Sequence, residues 1–252
     1  MKLLMTKNLR KSFGETHAVD DVDFAIEEGE VLSLVGPNGA GKTTLINLIS
    51  GLIPSDEGTI VFQGNDITEM SINKRIKAGI ARSFQIVNLF DQLTTLDNVA
   101  LTILSREGKT RKFMSLAESD DDVRQEALEI LEQFGMKNKR NVEAAGLAQG
   151  ERKLLDIAVA YSLKPKLLLL DEPTSGVSTR EKGGIMDTIC SIVRAGSTTA
   201  AIVEHDMDLV FKYSDRVVAM ALGNILADGT PDEVRENEKV KKILLGTDES
   251  DV

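Results

Sequence analysis

The chain has 252 residues, a hydrophobic fraction of 42% and a formal net charge of −10. This length permits one large α/β domain or a core with a sizeable subdomain. The acidic balance argues against nucleic acid as a partner, because such binding depends on Lys and Arg neutralising phosphates. A single cysteine cannot form an intramolecular disulfide, which fits a reducing cytosol. No apolar run approaches the ~18 residues of a membrane-spanning helix, and the first residues do not resemble a signal peptide.

The residue pattern in the first third of the chain predicts mainly strands, with few helices. Alternating apolar and polar residues with intervening turns indicate a β-rich opening over residues 2–35. The elements predicted next are a helix after residue 41, a strand at 59–62, a helix starting near Ser71 and a strand at 79–84.

Residues 87–160 differ in character, since they show helical spacing and no convincing strand. The helices predicted there are 96–105, 120–135 and 150–163. Strands then return with Leu167–Leu170, a continuous apolar run typical of a parallel strand buried on both faces. The elements predicted after it are a helix at 178–195, a strand at 198–203, a helix at 206–213, and strands at 216–221 and 224–228. The pattern predicts a parallel-sheet core with a helical subdomain inserted in its middle.

The segment 36–43, Gly-Pro-Asn-Gly-Ala-Gly-Lys-Thr, fits the pattern G-x-x-x-x-G-K-[ST] between a predicted strand and a predicted helix. Its glycines let the backbone curl so that N–H groups point inward, and the following helix adds its positive end. Lys42 can reach the β- and γ-phosphates, and the Thr43 hydroxyl can ligate Mg²⁺. The pattern predicts a nucleoside triphosphate site; an ordinary glycine-rich turn is the disfavoured alternative.

Two acidic residues follow the buried strand that ends at Leu170. Asp171 is expected to hold Mg²⁺, usually through water, and Glu172 to accept a proton from a water aligned with the γ-phosphate. A surface turn carrying two acids is the alternative. Gln85, at the end of a strand, could contact the metal and the attacking water. His205, between a strand and a helix, is placed to donate to the γ-phosphate, although a lone histidine there would usually cap or pack.

Together with the segments 147–151 (Leu-Ala-Gln-Gly-Glu) and 171–178, these motifs resemble those of an ABC-type ATPase over essentially the whole chain. The resemblance implies an α/β fold: a P-loop NTPase core, mainly a parallel sheet flanked by helices, with an N-terminal antiparallel β subdomain and an inserted α-helical subdomain. It implies a single ABC ATPase domain, 1–252, in which 1–86 and 161–252 form the core and 87–160 the helical insertion.

The resemblance also assigns roles to individual residues, with ATP and Mg²⁺ as the bound species. It identifies 36–43 as the Walker A loop, 167–171 as the Walker B strand, 147–151 as the signature motif and 175–178 as the D-loop. The implied catalytic residues are Glu172, His205, Lys42 and Gln85. The implied metal ligands are Thr43, Gln85 and Asp171. The implied nucleotide-binding residues are Phe13, which would stack on adenine, Val19, Gly36, Pro37, Asn38, Gly39, Ala40, Gly41, Lys42, Thr43 and Thr44.

The family's signature motif contacts the ATP of a second, antiparallel chain, so the resemblance implies a homo- or heterodimer bridged by ATP. The residues implied to act in trans are Leu147, Ala148, Gln149 and Gly150. Ala148 replaces the usual serine, and Ser178 replaces the aspartate that usually ends the D-loop. Because a lost hydrogen bond to a charged group costs roughly 1.5–3 kcal/mol, the closed pair is expected to be weakened and not abolished.

Further segments resemble the ATP-binding subunits of branched-chain (hydrophobic) amino-acid importers, namely 79–85 with 88–90, 204–207 and 240–246. This resemblance implies integral membrane permease subunits and an extracytoplasmic solute-binding protein as partners. It places the chain at the cytoplasmic face of the membrane. Residues 86–100 are expected to form part of a groove for a helix of the permease. Phe90, Leu93 and Leu96 are candidates for its floor, and packing inside the helical subdomain is the alternative for each.

Three other functions remain open. An ABC exporter such as the lipopolysaccharide-export ATPase shares the tail pattern and the compact length. A soluble ABC ATPase acting on ribosomes or DNA is disfavoured by the single cassette, the absence of sustained heptads and the acidity. A catalytically silent regulatory partner is disfavoured by the presence of Glu172 and His205.

Overall fold

The computed structural model describes residues 1–83, 89–109, 120–196 and 198–245. The strands are β1 (Lys2–Phe13), β2 (Thr16–Glu27), β3 (Val31–Val35), β4 (Glu57–Phe62), β5 (Asn65–Asp66), β6 (Ile80–Arg82), β7 (Leu167–Asp171), β8 (Thr199–Val203), β9 (Arg216–Ala221) and β10 (Asn224–Gly229). The helices are α1 (Lys42–Ser50), α2 (Ile72–Ala78), α3 (Thr95–Arg106), α4 (Asp121–Gln133), α5 (Gln149–Tyr161), α6 (Thr179–Arg194), α7 (Met207–Tyr213), α8 (Pro231–Glu236) and α9 (Glu238–Val240).

The predicted elements have counterparts in this structure, with small shifts at their ends. The β-rich opening consists of β1, β2 and β3, and the three helices predicted between residues 87 and 160 are α3, α4 and α5. The strand predicted at 79–84 is observed as β6, and its predicted last residue lies outside the described part of the chain. Within that described part, no helix is both long and apolar enough to span a membrane.

The chain divides into two compact units, of which the first contains Met1–Arg75 and the chain from Thr199 onward. In this unit β1 pairs antiparallel with β2 and with β4. A second set of strands places β3 between β8 and β9, all parallel, with β10 antiparallel to β9. Every residue of β3 and β8 is buried, as expected for parallel strands covered on both faces.

The second unit contains Ile76–Thr198. Its strands β6 and β7 pair in parallel, with Arg82 opposite Leu169, and β7 is buried throughout. Helices α3, α4 and α5 bury apolar faces in the same unit. The predicted fold class is confirmed: a mainly parallel α/β core, an N-terminal antiparallel sheet and a helical part. The predicted boundaries of the helical insertion, 87–160, stay a prediction.

Arg75 closes the C-terminal end of α1, the helix that follows the glycine-rich loop. Its guanidinium donates to the carbonyl oxygens of Leu48 at 2.5 Å and Ile49 at 2.9 Å, and the side chain is buried. It also donates to the carbonyls of Thr68 and Met70. The last carbonyls of a helix lack N–H partners from a following turn, and one buried cation supplies hydrogen bonds at this helix end; the Leu48 carbonyl also accepts the N–H of Gly51 at 3.2 Å.

We expect Arg75→Met to lower the free energy of unfolding by about 3 kcal/mol or more, because four carbonyls lose a charged donor. Urea denaturation measures this change. Arg10→Met is the matched control, since Arg10 is partly exposed and its ion pairs have N–O distances of 3.6 to 3.8 Å. The control should cost no more than about 1 kcal/mol. Equal losses in the two variants would contradict the role of Arg75.

Candidate functional site

The glycine-rich loop of the first unit can be formed only without side chains at two positions. A Cβ atom at Gly36 would collide with the carbonyl oxygen of Met220, and one at Gly41 with that of Ala18. Gly41 also has a φ of 102°, a left-handed conformation that glycine adopts without strain. The backbone therefore curls tightly between β3 and α1, as a loop that surrounds phosphate groups requires.

Lys42, the first residue of α1, lies against this loop. Its Nζ donates to the carbonyl oxygens of Gly36 at 2.7 Å and Pro37 at 3.0 Å, and the side chain is buried. The cation thus lies beside the N-terminus of a helix, where two positive contributions favour an anion. Thr43 is exposed in the first turn. The other loop residues are Asn38 and Gly39, which are exposed, Ala40, which is buried, and Thr44, which is half-buried.

The predicted adenine contacts differ from each other in exposure. Phe13 ends β1 with 54% of its surface exposed, and Lys11 Nζ lies 5.7 Å from its ring centre. Such an exposed ring offers a surface for stacking. Val19 is 1% exposed in the core, so its side chain leaves a nucleotide little surface to contact.

His205 follows β8, and the glycine-rich loop follows β3. These strands pair in parallel, with Leu34 opposite Val203, so the loop and His205 follow neighbouring strand ends at one edge of the sheet. The His205 side chain is exposed, and its backbone N–H donates to Glu204 Oε2 at 3.0 Å. The first unit therefore brings the predicted phosphate loop and His205, the predicted donor to the γ-phosphate, to the same edge.

In the second unit, Asp171 ends β7 in a buried position. Its Oδ2 accepts a hydrogen bond from Arg82 Nη2 at 2.9 Å, and the two side chains are 1% and 9% exposed. Among the described residues, Asp171 Oδ1 has no hydrogen-bond partner. Buried polar atoms are rarely left unpaired, and a carboxylate oxygen can ligate Mg²⁺ or accept hydrogen bonds from the waters bound to it. The orphaned atom fits the predicted metal site.

Glu172 adopts an unusual backbone conformation directly after β7. Its φ is 51°, in the left-handed region that residues other than glycine seldom occupy. Its carbonyl accepts hydrogen bonds from the N–H of Ser175 at 3.1 Å and from Nζ of the buried Lys153 at 3.3 Å. Backbone strain of this kind costs on the order of 1–3 kcal/mol and clusters at functional sites, which supports a functional role for Glu172.

The segment 147–151 contacts the segment 175–178 within the second unit. A Cβ atom at Gly176 would collide with Nε2 of Gln149, so the Gln149 amide lies directly against this turn. Ala148 is the N-cap residue of α5 and has no side-chain hydrogen bond; its N–H donates to Glu151 Oε2 at 3.1 Å. Leu147 and Gly150 are buried.

Glu181 joins these two segments, and sequence reasoning missed it. Its carboxylate accepts a hydrogen bond from the Ser178 hydroxyl, and a Cβ atom at Gly150 would lie 3.2 Å from Glu181 Oε1. An acidic group therefore lies close to the position where Ser178 replaces the expected aspartate. The spacing Ser-x-x-Glu at 178–181 is the available sequence signal, although it would have predicted an ordinary helix cap.

Arg82 is the second residue that sequence reasoning missed, since a basic residue at the end of a short strand has no motif of its own. Gln85, predicted to contact both metal and water, lies outside the described residues. In the described part of the chain, no cluster of three or more His, Cys, Asp or Glu side chains could hold a metal ion.

A comparison with family models matches residues 19–175 to the family described as ABC transporter. The chain is similar to the probable branched-chain amino acid transport ATP-binding protein LivG of Archaeoglobus fulgidus, with 34% identity over all of this chain and 98% of the relative. The high-affinity branched-chain amino acid transport ATP-binding protein LivG of Escherichia coli K12 is also 34% identical, over 97% of this chain and 98% of its own length.

Solved structures support the same relationship. The ADP conformation of an ATP-binding cassette of an ABC transporter has a TM-score of 0.85 and 32% identity, over 98% of this chain and all of that one. A dimeric cassette in a post-hydrolysis state, bound to ADP and Pi, has a TM-score of 0.76 and 27% identity, over 90% of this chain and 98% of that one. The chain therefore belongs to the ABC transporter family, and it is an ATP-binding, ATP-hydrolysing cassette of that family.

Proposed function

We propose that this ATPase energises the import of branched-chain or other hydrophobic amino acids through a membrane permease. The observation that carries this assignment is the full-length similarity to relatives named as branched-chain amino acid transport ATP-binding proteins. The segments 79–85, 204–207 and 240–246 carry the same likeness in the sequence.

The triphosphate binds to the loop 36–44, with the adenine stacked on Phe13. Lys42, whose ammonium is bound to two carbonyls of the loop at 2.7 and 3.0 Å, turns toward the β- and γ-phosphates. Thr43, Gln85 and Asp171 are the residues that would hold Mg²⁺. When bound, the metal would neutralise the negative charge that develops on the phosphate oxygens during the reaction.

Hydrolysis transfers the γ-phosphoryl group to water. Glu172 accepts a proton from the water, whose oxygen bonds to the γ-phosphorus, while the bond to the β–γ bridging oxygen breaks and ADP leaves with that electron pair. His205 donates a hydrogen bond to the γ-phosphate, and Gln85 orients the water. The phosphate loop and His205 belong to the first unit, and Asp171 and Glu172 belong to the second.

Each nucleotide is completed by a second cassette, identical or related. Leu147, Ala148, Gln149 and Gly150 present the N-terminus of α5 to the γ-phosphate held by the partner. The likeness to a dimeric cassette bound to ADP and Pi supports this arrangement. Ala148 offers no hydroxyl to that phosphate, whereas Glu181 brings a carboxylate to the segment where Ser178 lacks one.

The permease docks on an apolar pocket of about 630 Å³ in the second unit. Its lining residues are Leu89, Phe90, Asp91, Gln92, Leu93 and Leu101. Phe90 is 60% exposed, and Leu93 lines the pocket. Leu96 is 3% exposed and packs inside the unit, which agrees with the alternative given for it, packing within the helical subdomain. The cassette would thus lie at the cytoplasmic face of the membrane, with an extracytoplasmic solute-binding protein on the other side and no nucleic acid partner.

Reconstitution tests the transport assignment. The cassette is assembled in vesicles with the permease subunits that co-purify with it, and phosphate release is measured with and without the solute-binding protein of the same system. We expect leucine, isoleucine or valine together with the binding protein to raise the ATPase rate and to accumulate inside the vesicles. A lipid substrate that stimulates in their place would indicate an exporter, and failure to assemble with any membrane subunit would contradict the proposal.

Glu172→Gln tests the catalytic assignment, because an amide cannot accept the proton from water. We expect phosphate release to fall by about 100-fold or more, because a positioned general base contributes on the order of 100- to 10,000-fold, with unchanged affinity for MgATP. Glu129→Gln is the matched control, an exposed carboxylate on α4 whose loss should leave the rate unchanged. Phosphate release at the wild-type rate in Glu172→Gln would remove Glu172 from its role.

A further inference from the structure

Arg82 and Asp171 form a buried ion pair, and the proposed reaction gives a role to Asp171 but none to Arg82. Arg82 Nη2 donates to Asp171 Oδ2 at 2.9 Å, and more than nine-tenths of each side chain is buried. The other carboxylate oxygen, Oδ1, accepts no hydrogen bond from the described residues. The guanidinium therefore occupies one oxygen of the predicted metal-binding carboxylate and leaves the other one open.

The pairing of β6 with β7 fixes this geometry. Arg82 is opposite Leu169 in the parallel register, and the N–H of the next residue, Ser83, donates to the Leu169 carbonyl at 2.9 Å. Alternate residues of a strand lie on the same face, so Leu169 and Asp171 share a face. Residues opposite each other in a sheet also share a face, so Arg82 is directed to the side of the sheet that carries Asp171.

We propose that Arg82 is a positioning residue, which holds the Asp171 carboxylate through Oδ2 so that Oδ1 is turned toward Mg²⁺ before the metal arrives. The inference rests on the proposed role of Asp171 in metal binding. Groups that hydrogen-bond a metal ligand fix its orientation, and their loss typically costs about 10–100-fold in metal affinity. A guanidinium suits this task because it is planar, always charged and more weakly hydrated than an ammonium.

Charge alone predicts the opposite effect. Removing a cation 2.9 Å from the carboxylate would make the site more negative and strengthen its attraction for Mg²⁺. Without Arg82, however, a buried carboxylate is left without its ionic partner and turns toward other donors, which misdirects Oδ1. The sign of the change in metal dependence therefore distinguishes a positioning residue from a cation that competes with the metal.

Calorimetry of a non-hydrolysable ATP analogue measures this dependence without turnover. The ratio of the dissociation constant in EDTA to that in saturating Mg²⁺ is determined for the wild type, Arg82→Gln, Arg82→Lys and Asp171→Asn. Arg106→Gln is the matched control. Arg106 lies in the same unit and pairs with Glu126 at 2.7 Å, and its ion pair does not involve Asp171. Thermal melting verifies that each variant is folded.

We expect Arg82→Gln to lower the ratio by about 10-fold or more with unchanged affinity in EDTA. Arg82→Lys keeps the positive charge but lacks the planar guanidinium with its several N–H donors, so it should give an intermediate ratio. Arg106→Gln should give the wild-type ratio. Two outcomes would contradict these assignments. If Arg82→Gln has a wild-type or increased ratio while the ratio of Asp171→Asn falls to about one, only the positioning role of Arg82 is overturned. If Asp171→Asn keeps the wild-type ratio, the proposed role of Asp171 in metal binding is overturned. Should Arg82→Gln not fold, a wild-type ratio in Arg82→Lys would overturn the inference.

Discussion

The predicted nucleotide site depends on two positions where the chain has no room for a side chain. Gly36 and Gly41 pass so close to the carbonyls of Met220 and Ala18 that a Cβ atom would collide at either position. This contact fixes the curl of the loop between β3 and α1, and it places Lys42 against the carbonyls of Gly36 and Pro37. A rigid cradle of this kind binds phosphate without first having to be ordered, which lowers the entropic cost of binding.

The second unit contains a buried ion pair and a strained residue next to each other in the chain. Asp171 is buried with Arg82 as its counter-ion, and Glu172 follows it in a left-handed conformation. Both features cost free energy, since a buried ion pair must be desolvated and a strained backbone must be held by its surroundings. The carbonyl of Glu172 is held by Lys153 and by Ser175, so the local fold maintains the strain. Such costs are often found at functional sites.

The sequence predicted the fold class and the elements well, because the phosphate-loop pattern and the apolar periodicity are local signals. It could not predict contacts between residues that are far apart in the sequence. Arg82 and Asp171 are 89 positions apart, and Arg75 reaches the carbonyl of Leu48 from 27 positions away. Glu181 was missed because its spacing from Ser178 is that of an ordinary cap. Val19 was predicted to bind the nucleotide beside Phe13 because of the family resemblance, which carries no information about its burial. The roles of the site residues remain predictions.

The central claim is that ATP joins two cassettes, each completing the site of the other. Sedimentation of Glu172→Gln, alone and mixed with a related cassette from the same system, tests this claim most directly. Saturating MgATP should convert monomers into a dimer that dissociates when the nucleotide is removed, because the charge bridging the two chains is lost. Monomers alone under MgATP, even at high protein concentration and with the related cassette present, would contradict the account.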